Sequence, residues 1–303
     1  MRVRVLGAAA GGGFPQWNCA CENCRLVRAG DRRVAAATQD SIAVSGQAGA
    51  WLVINASPDV HRQIQGFSDL HPAGPRHTPI AAIALTNGDM DHVAGLFSLR
   101  ESQPLRILAT ERVRAGLVER NVLMRTLARF PDQVRWERLE PGSPGSEVVL
   151  DDIGLGIQPA PVAGKLPTHL MGIADPSPED NVALRIRDLA SGRVLVVATA
   201  IGSLDGIDAV VRGADALLFD GTFWSEDELV SRGLGTSYAR DMAHVPLGGP
   251  GGSLEGLATL APALRVYTHV NNTNPILRSD SPERAAVERA GWKVAHDGLE
   301  LEV

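Results

Sequence analysis

Three apolar runs, each stopping at an acidic or imidazole side chain, constrain this chain most. They are IAAIALTN before GDMDH (residues 80–92), ALLFDGT around Asp220, and LRVYTHV up to His269. Short apolar runs closed by Gly, Asn or Asp suit strands, and continuous rather than alternating apolarity suits strands covered on both faces. RVRVLG, SIAVSG, WLVINA, PLRILAT, LGIQPAPV, NVALRIRD and RVLVVATA read the same way. Between them, HVAGLFSLRE and GSLDGIDAVVRG have helical character, and ERVRAGLVERNVLMRTLARF reads as a helix or a helix pair. A short helix is expected before LRVYTHV and another before WKVAHDG. Ser57 is placed to cap a short helix starting at Pro58. Many short strands with interspersed helices predict an α/β layered architecture. With no fixed-period repeat and no convincing linker, residues 1–303 are expected to form one domain.

Composition narrows the function classes. Hydrophobic residues make up 44% and charged residues 21%, with 32 Gly and 19 Pro, which describes a loop-rich globular chain rather than a disordered one. The 29 basic and 35 acidic residues give a net charge of -6 without long runs of like charge, which argues against nucleic acid or an anionic membrane as the main partner. No segment reaches the ~18 consecutive apolar residues that a membrane span needs. The N-terminal MRVRVLGAAAGGG lacks the form of a signal peptide, since arginines interrupt it and glycines follow early. A cytoplasmic location is the expectation.

All three cysteines fall in NCACENC, as Cys19, Cys21 and Cys24. Cys-x-Cys-x-x-Cys places three thiolates close enough to hold one tetrahedral metal ion, and an odd count in a reducing compartment argues against disulfides. A zinc knot over about residues 14–30 is expected, structural rather than catalytic, because thiolates quench the metal's acidity. Its fourth ligand is not evident from the cysteines. The preceding GAAAGGG loop follows a strand but has neither the Gly-Lys-Ser/Thr of a P-loop nor the spacing of a dinucleotide site, so it reads as a turn presenting the cysteines.

In TNGDMDH, Asn87, Asp89 and Asp91 are spaced by two and would point the same way in an extended segment, with His92 opening the next element. That pattern serves a metal site or an Asx-rich turn capping a helix. Asp220 and His269, at the ends of two other apolar strands, favour the metal. His61, His71, His77 and His296 lie in helical, Pro-rich or surface-like settings and read as bystanders.

At these residues the chain resembles the metallo-β-lactamase superfamily. NCACENC, TNGDMDHVAGL, LLFDGTFW, MAHVPLGG and THVNNTNPIL together resemble one family within it, the pyrroloquinoline quinone (PQQ) biosynthesis proteins PqqB, from end to end. The resemblance implies a four-layer αββα sandwich with a metal site at one sheet edge. It implies that Asn87 and Asp89 replace the two leading histidines of the His-x-His-x-Asp-His signature. Lys165 stands near the place of a third histidine and His169 is offset from it, so the first of two metal sites is expected to be empty. The second set, Asp91, His92, Asp220 and His269, is complete, and two imidazoles with carboxylates suit ferrous iron that binds dioxygen. The implied activity is iron-dependent, oxygen-using hydroxylation of the tyrosine ring in a cross-linked Glu-Tyr diamino acid derived from a precursor peptide. Asp89 would accept the phenol proton or orient the substrate, and His244 would support the site by hydrogen bonding or proton transfer. Other PQQ biosynthesis proteins are possible partners. A carrier of PQQ or its precursor, and a metal-dependent hydrolase, are the competing functions. A related family completes its zinc knot with a histidine where this chain has Asn272.

Overall fold

The computed structural model describes residues 1–47, 49–101, 103–142, 146–260 and 262–303. Two seven-stranded sheets stack face to face. The first is ordered β14-β1-β2-β3-β4-β5-β6. Its strands are β1 (Arg2–Gly7), β2 (Ser41–Ser45), β3 (Trp51–Ile54), β4 (Ile80–Ala84), β5 (Leu105–Ala109), β6 (Val134–Arg138) and β14 (Glu300–Glu302). The second is ordered β13-β12-β11-β10-β9-β8-β7. It holds β7 (Val148–Leu150), β8 (Leu155–Pro161), β9 (Val182–Asp188), β10 (Val194–Ala198), β11 (Ala216–Asp220), β12 (Leu264–Thr268) and β13 (Lys293–Val294). In each sheet the ladders on one side are antiparallel and those on the other parallel.

Covering both faces of each sheet takes three apolar layers, and all three are present. Val5, Ile54, Leu108, Leu184, Val197 and Leu218 belong to the layer between the sheets. Outside the first sheet, Ile83, Ile107 and Trp51 pack with Ile64 of α2 (Val60–Gln65) and Leu117 of α4 (Glu111–Val118). Outside the second, Phe219 and Tyr267 pack with Val210 of α5 (Ile207–Val211) and Val287 of α8 (Pro282–Arg289). This is the αββα sandwich expected from the sequence, and the doubly covered strands explain why their apolar runs are continuous.

Several local expectations are corrected. The helix expected from Pro58 starts at Val60 with Asp59 as its N-cap, and the Ser57 hydroxyl instead accepts from the Asp59 N–H at 3.3 Å and donates to Gln63 at 3.1 Å. HVAGLFSLRE is not one helix: a single turn, α3 (Met90–Val93), passes into a 3-10 segment, Ala94–Leu99. The Gly95 N–H leaves the helical ladder to donate to the Ala56 carbonyl at 2.8 Å, an approach that glycine permits because a Cβ there would lie 2.0 Å from the Ser57 carbonyl oxygen. ERVRAGLVERNVLMRTLARF resolves into α4 and a 3-10 segment, Val122–Ala128. No helix among the described residues is long and apolar enough to cross a membrane.

Two isolated bridges tie the sheets together at one end. Ala9, beyond β1, pairs with Val270, beyond β12, and Asn87, beyond β4, pairs with Asn181, ahead of β9. The carboxyl ends of β4, β11 and β12 finish there, so the residues that terminate the three apolar runs share one rim of the sandwich. The site therefore sits at strand ends rather than along a lateral sheet edge, the position where ligands of open parallel sheets are held.

Candidate metal centres

Asp91, His92 and His269 meet with their ligand atoms within 4.8 Å of one another. His269 Nε2 is 3.4 Å and His92 Nε2 3.8 Å from Asp91 Oδ2. The extended-segment expectation fails beyond Asp89, because Met90 begins α3: Asp91 turns to His269, while Asp89 turns to Lys165 at 3.9 Å. Asn87 does turn work, its Oδ1 accepting from the Asp89 N–H at 3.0 Å.

Both histidines are oriented by the same device. His92 Nδ1 is 3.1 Å from Thr86 Oγ1, whose hydroxyl donates to Asn55 Oδ1 at 3.0 Å. Asn55 Oδ1 also accepts the Thr86 N–H, which fixes the amide's orientation. The threonine's proton is thus committed, so its oxygen accepts from His92 Nδ1–H and the lone pair is left on Nε2. His269 Nδ1 is 2.8 Å from Thr222 Oγ1, whose hydroxyl faces Asp220 Oδ1 at 2.5 Å, so Nδ1–H donates to the threonine and Nε2 is turned toward Asp91. His92 Nε2 is buried without any partner, a cost of about 1–3 kcal/mol that a bound metal ion removes.

Asp220 belongs to a second trio, with His244 and His269. Its carboxylate accepts from Ile201 N–H (3.0 Å), His244 Nδ1 (2.7 Å), and both the N–H (3.0 Å) and hydroxyl of Thr222. Four bonds fill a carboxylate's acceptor positions, so Asp220 would join a metal at the first trio only by releasing one of them. His244 stacks on His269 with ring centroids 5.5 Å apart.

Burial would raise the Asp91 carboxyl, but the facing His92 and His269 outweigh it and hold it well below the usual carboxylate range. Burial would lower His269, but the bond to Asp91 and the charges of Asp40, Asp220 and Asp91 push it up to about 9. Asp40, fully buried between Thr268 Oγ1 at 3.2 Å and Asn55 Nδ2 at 3.4 Å, is pushed up by that burial. Backbone strain gathers here too. Among the described residues, three of the five non-glycine residues with positive φ are Asn55, His269 and Ala243, the neighbour of His244.

A cavity of about 300 Å³ opens on the trio, lined also by Asp89, Lys165, His169, Phe223 and His244. His169 thus reaches the cavity despite its offset in sequence, and its burial lowers its pKa. The glycine loop does more than present cysteines. Gly11 lines the cavity, where a Cβ would lie 3.1 Å from Asp91 Oδ2. His61, His71, His77 and His296 are exposed, away from this cluster.

The three cysteine sulfurs also lie within 4.8 Å of one another. Cys21 caps α1 (Glu22–Arg28), so Cys24 falls on its first turn. Asn272 Nδ2 sits 3.2, 3.5 and 3.3 Å from the sulfurs of Cys19, Cys21 and Cys24. One amide nitrogen has two hydrogens for three sulfurs; turning the amide over puts its oxygen at the same apex, where a tetrahedral metal needs a fourth donor. Burial pushes the Cys24 thiol up to about 11. Asn23 Nδ2 donates to the carbonyls of Asn272 (3.0 Å) and Asn274 (2.9 Å), fastening this loop to α1.

A family model described as the beta-lactamase superfamily domain matches residues 50–270. The coenzyme PQQ synthesis protein B of Pseudomonas putida strain W619 is 42% identical over 305 residues, with all of both chains covered. The chain belongs to the coenzyme PQQ synthesis protein B family. The protein of that name from Pseudomonas fluorescens strain SBW25 is 41% identical, again over both full lengths. The crystal structure of Zn2+-bound PqqB from Methylobacterium extorquens superposes with a TM-score of 0.92 at 41% identity, covering both chains completely. A diphosphatase of the PhnP family, at 20% identity and a TM-score of 0.68, shares the fold.

Within this family member, Thr86, Thr222, Asn55 and Asp40 are the site residues that sequence reasoning missed. Thr86 and Thr222 stood inside the quoted motifs, one opening TNGDMDH and one following Asp220 by two positions. Asn55 and Asp40 carried no such signal, since they reach the site only through the pairing of β2, β3 and β4 and the stacking of that sheet on β12.

Proposed function

We propose that this protein acts in PQQ biosynthesis as a non-haem iron oxygenase that hydroxylates the tyrosine ring of a cross-linked Glu-Tyr diamino acid. The observation that carries this reading is the Asp91, His92, His269 trio. Two imidazoles that present Nε2 and one ionised carboxylate, open to a cavity, form the donor set of ferrous oxygenases once the proton on His269 Nε2 is displaced. Asp220 stands beside the trio as the fourth member of the set. The bound iron would supply the means of activating dioxygen. The chain's own residues do the rest: Thr86 and Thr222 fix the imidazoles, and His244 holds Asp220. Asp89, lining the cavity, accepts the phenol proton or orients the ring. A hydrolase reading is disfavoured because Asn87 is engaged in a turn and Asp89 faces an ammonium rather than histidine partners. Zinc outcompetes Fe(II) at most N/O sites, so a zinc-bound relative is compatible with iron as the working metal.

The structural zinc is assigned to Cys19, Cys21 and Cys24, with the Asn272 side-chain oxygen as fourth ligand. Residues 1–303 are taken as one domain, supported by the apolar layer that both sheets share, and a cytoplasmic location follows from the biosynthetic role. The test is anaerobic loading with Fe(II), addition of the Glu-Tyr diamino acid and a reductant such as ascorbate, then exposure to 18O2. One oxygen atom should enter the ring as the other leaves as water, and mass spectrometry should show the labelled product. No labelled product from iron-loaded protein would sink the proposal.

A further inference from the structure

The loop between β8 and β9 brings a cation to the cavity wall that the proposed chemistry does not use. The Lys165 carbonyl accepts from Asn181 Nδ2 at 2.8 Å, and Asn181 is bridged to Asn87. This clamps Lys165 against the turn that carries Asp89. Its Nζ stands 3.9 Å from Asp89 Oδ2, well beyond the 2.7–2.9 Å of a charge-assisted hydrogen bond. Among the described residues the ammonium has no other charge partner and donates no hydrogen bond. The side chain is 41% exposed and lines the same cavity as the ligand trio.

Asn87 supplies the second observation. Its side chain is 1% exposed, and its Oδ1 is occupied by the Asp89 N–H, so the donor end of the amide is the one left over. Nδ2 is buried without a partner, and Asn87 lines the cavity with Lys165. An unsatisfied buried N–H in the wall of a cavity that also holds an incompletely paired ammonium is a mismatch that an anionic oxygen entering the cavity removes by accepting from both.

We propose that Lys165 and Asn87 form an oxyanion subsite that takes a carboxylate of the substrate and so selects acidic aromatic ligands. Asp89 keeps the ammonium beside the cavity without saturating it. The proposal rests on the reading of an acidic, aromatic substrate, and Lys165 acts as a specificity-determining residue rather than a participant in bond making.

The test uses the full chain and a planar aromatic tricarboxylate, pyrroloquinoline quinone, against its trimethyl ester, both titrated calorimetrically into wild type, Lys165→Met and Lys165→Arg. Wild type should prefer the acid. Lys165→Met should weaken the acid at least about tenfold while leaving the ester unchanged, the loss expected for one charge-assisted bond. Lys165→Arg should restore most of the difference, with melting temperature and metal content of all three proteins equal. Wild type that fails to prefer the acid, or a Lys165→Met variant that weakens both ligands alike or neither, would overturn the proposal. Failure of the oxygenase reading is distinguishable, because it would leave carboxylate selectivity intact while no labelled oxygen enters the diamino acid.

Discussion

The two candidate metal centres of this protein are built in opposite ways. The cysteine knot draws three of its donors from six consecutive residues, on a loop and the first turn of α1. The trio that opens on the cavity draws Asp91 and His92 from the turn after β4 and His269 from the end of β12, strands in different sheets. A local centre can be assembled by its own segment, whereas a distributed one requires both sheets to be stacked first. The two meet in THVNNTN, where His269 faces one centre and Asn272, three residues later, faces the other. Their separation is sharp in donor chemistry, sulfur against nitrogen and oxygen, and narrow in the chain.

The largest expected effect tests whether the centres are independent. His92→Ala and His269→Ala should each abolish metal binding at the trio while the cysteine-bound zinc remains, measured by metal analysis after gel filtration. Loss of both metals together would break the division. Thr222→Val and Thr86→Val should weaken trio metal affinity about 10–100-fold by freeing the imidazoles to adopt other tautomers and orientations, with the zinc again unchanged. Equal affinity in competition with a fluorescent chelator would show that the threonines only pack.

Proton competition gives a graded test. In the metal-free chain His269 stays protonated up to about 9, and a metal must displace that proton from Nε2. Apparent affinity should therefore rise with pH, by about tenfold per unit at most, and level off above about 9, read from titrations between pH 6 and 9.5. A flat profile would mean that His269 does not ligate. The smallest effect on the trio is expected from Cys24→Ser. It should release the zinc and lower the melting temperature by about 5 °C or more, at roughly 2 °C per kcal/mol for a chain of this size, yet shift trio affinity less than about tenfold. A larger shift would show that Asn272 transmits the knot's state to His269.

Legibility followed burial and locality. The doubly covered strands β3, β4, β10 and β11 announced themselves as apolar runs, and their polar stops marked the site. β6 was invisible because VRWER is half polar, and β7 and β14 because three residues carry no period. The helix expected over HVAGLFSLRE had the right composition, but the Gly95 hydrogen bond to the Ala56 carbonyl, set by the docking of that segment on another element, broke it into a turn and a 3-10 segment.

The sequence by itself singled out the candidate residues for chemistry, because clustered cysteines, and carboxylates and histidines at the ends of apolar runs, have few other uses. Apolar runs predicted the α/β layers, and the motifs, through the family they resemble, implied the sandwich, since residue spacing and continuous apolarity are one-dimensional properties. Only the tertiary structure decided how those groups are divided: Asp91 with His92 and His269, Asp220 with His244, Lys165 with Asp89. That division depends on distances of a few ångströms between segments 24 to 178 residues apart, and on hydroxyl groups of Thr86 and Thr222 whose roles exist only once both sheets have stacked.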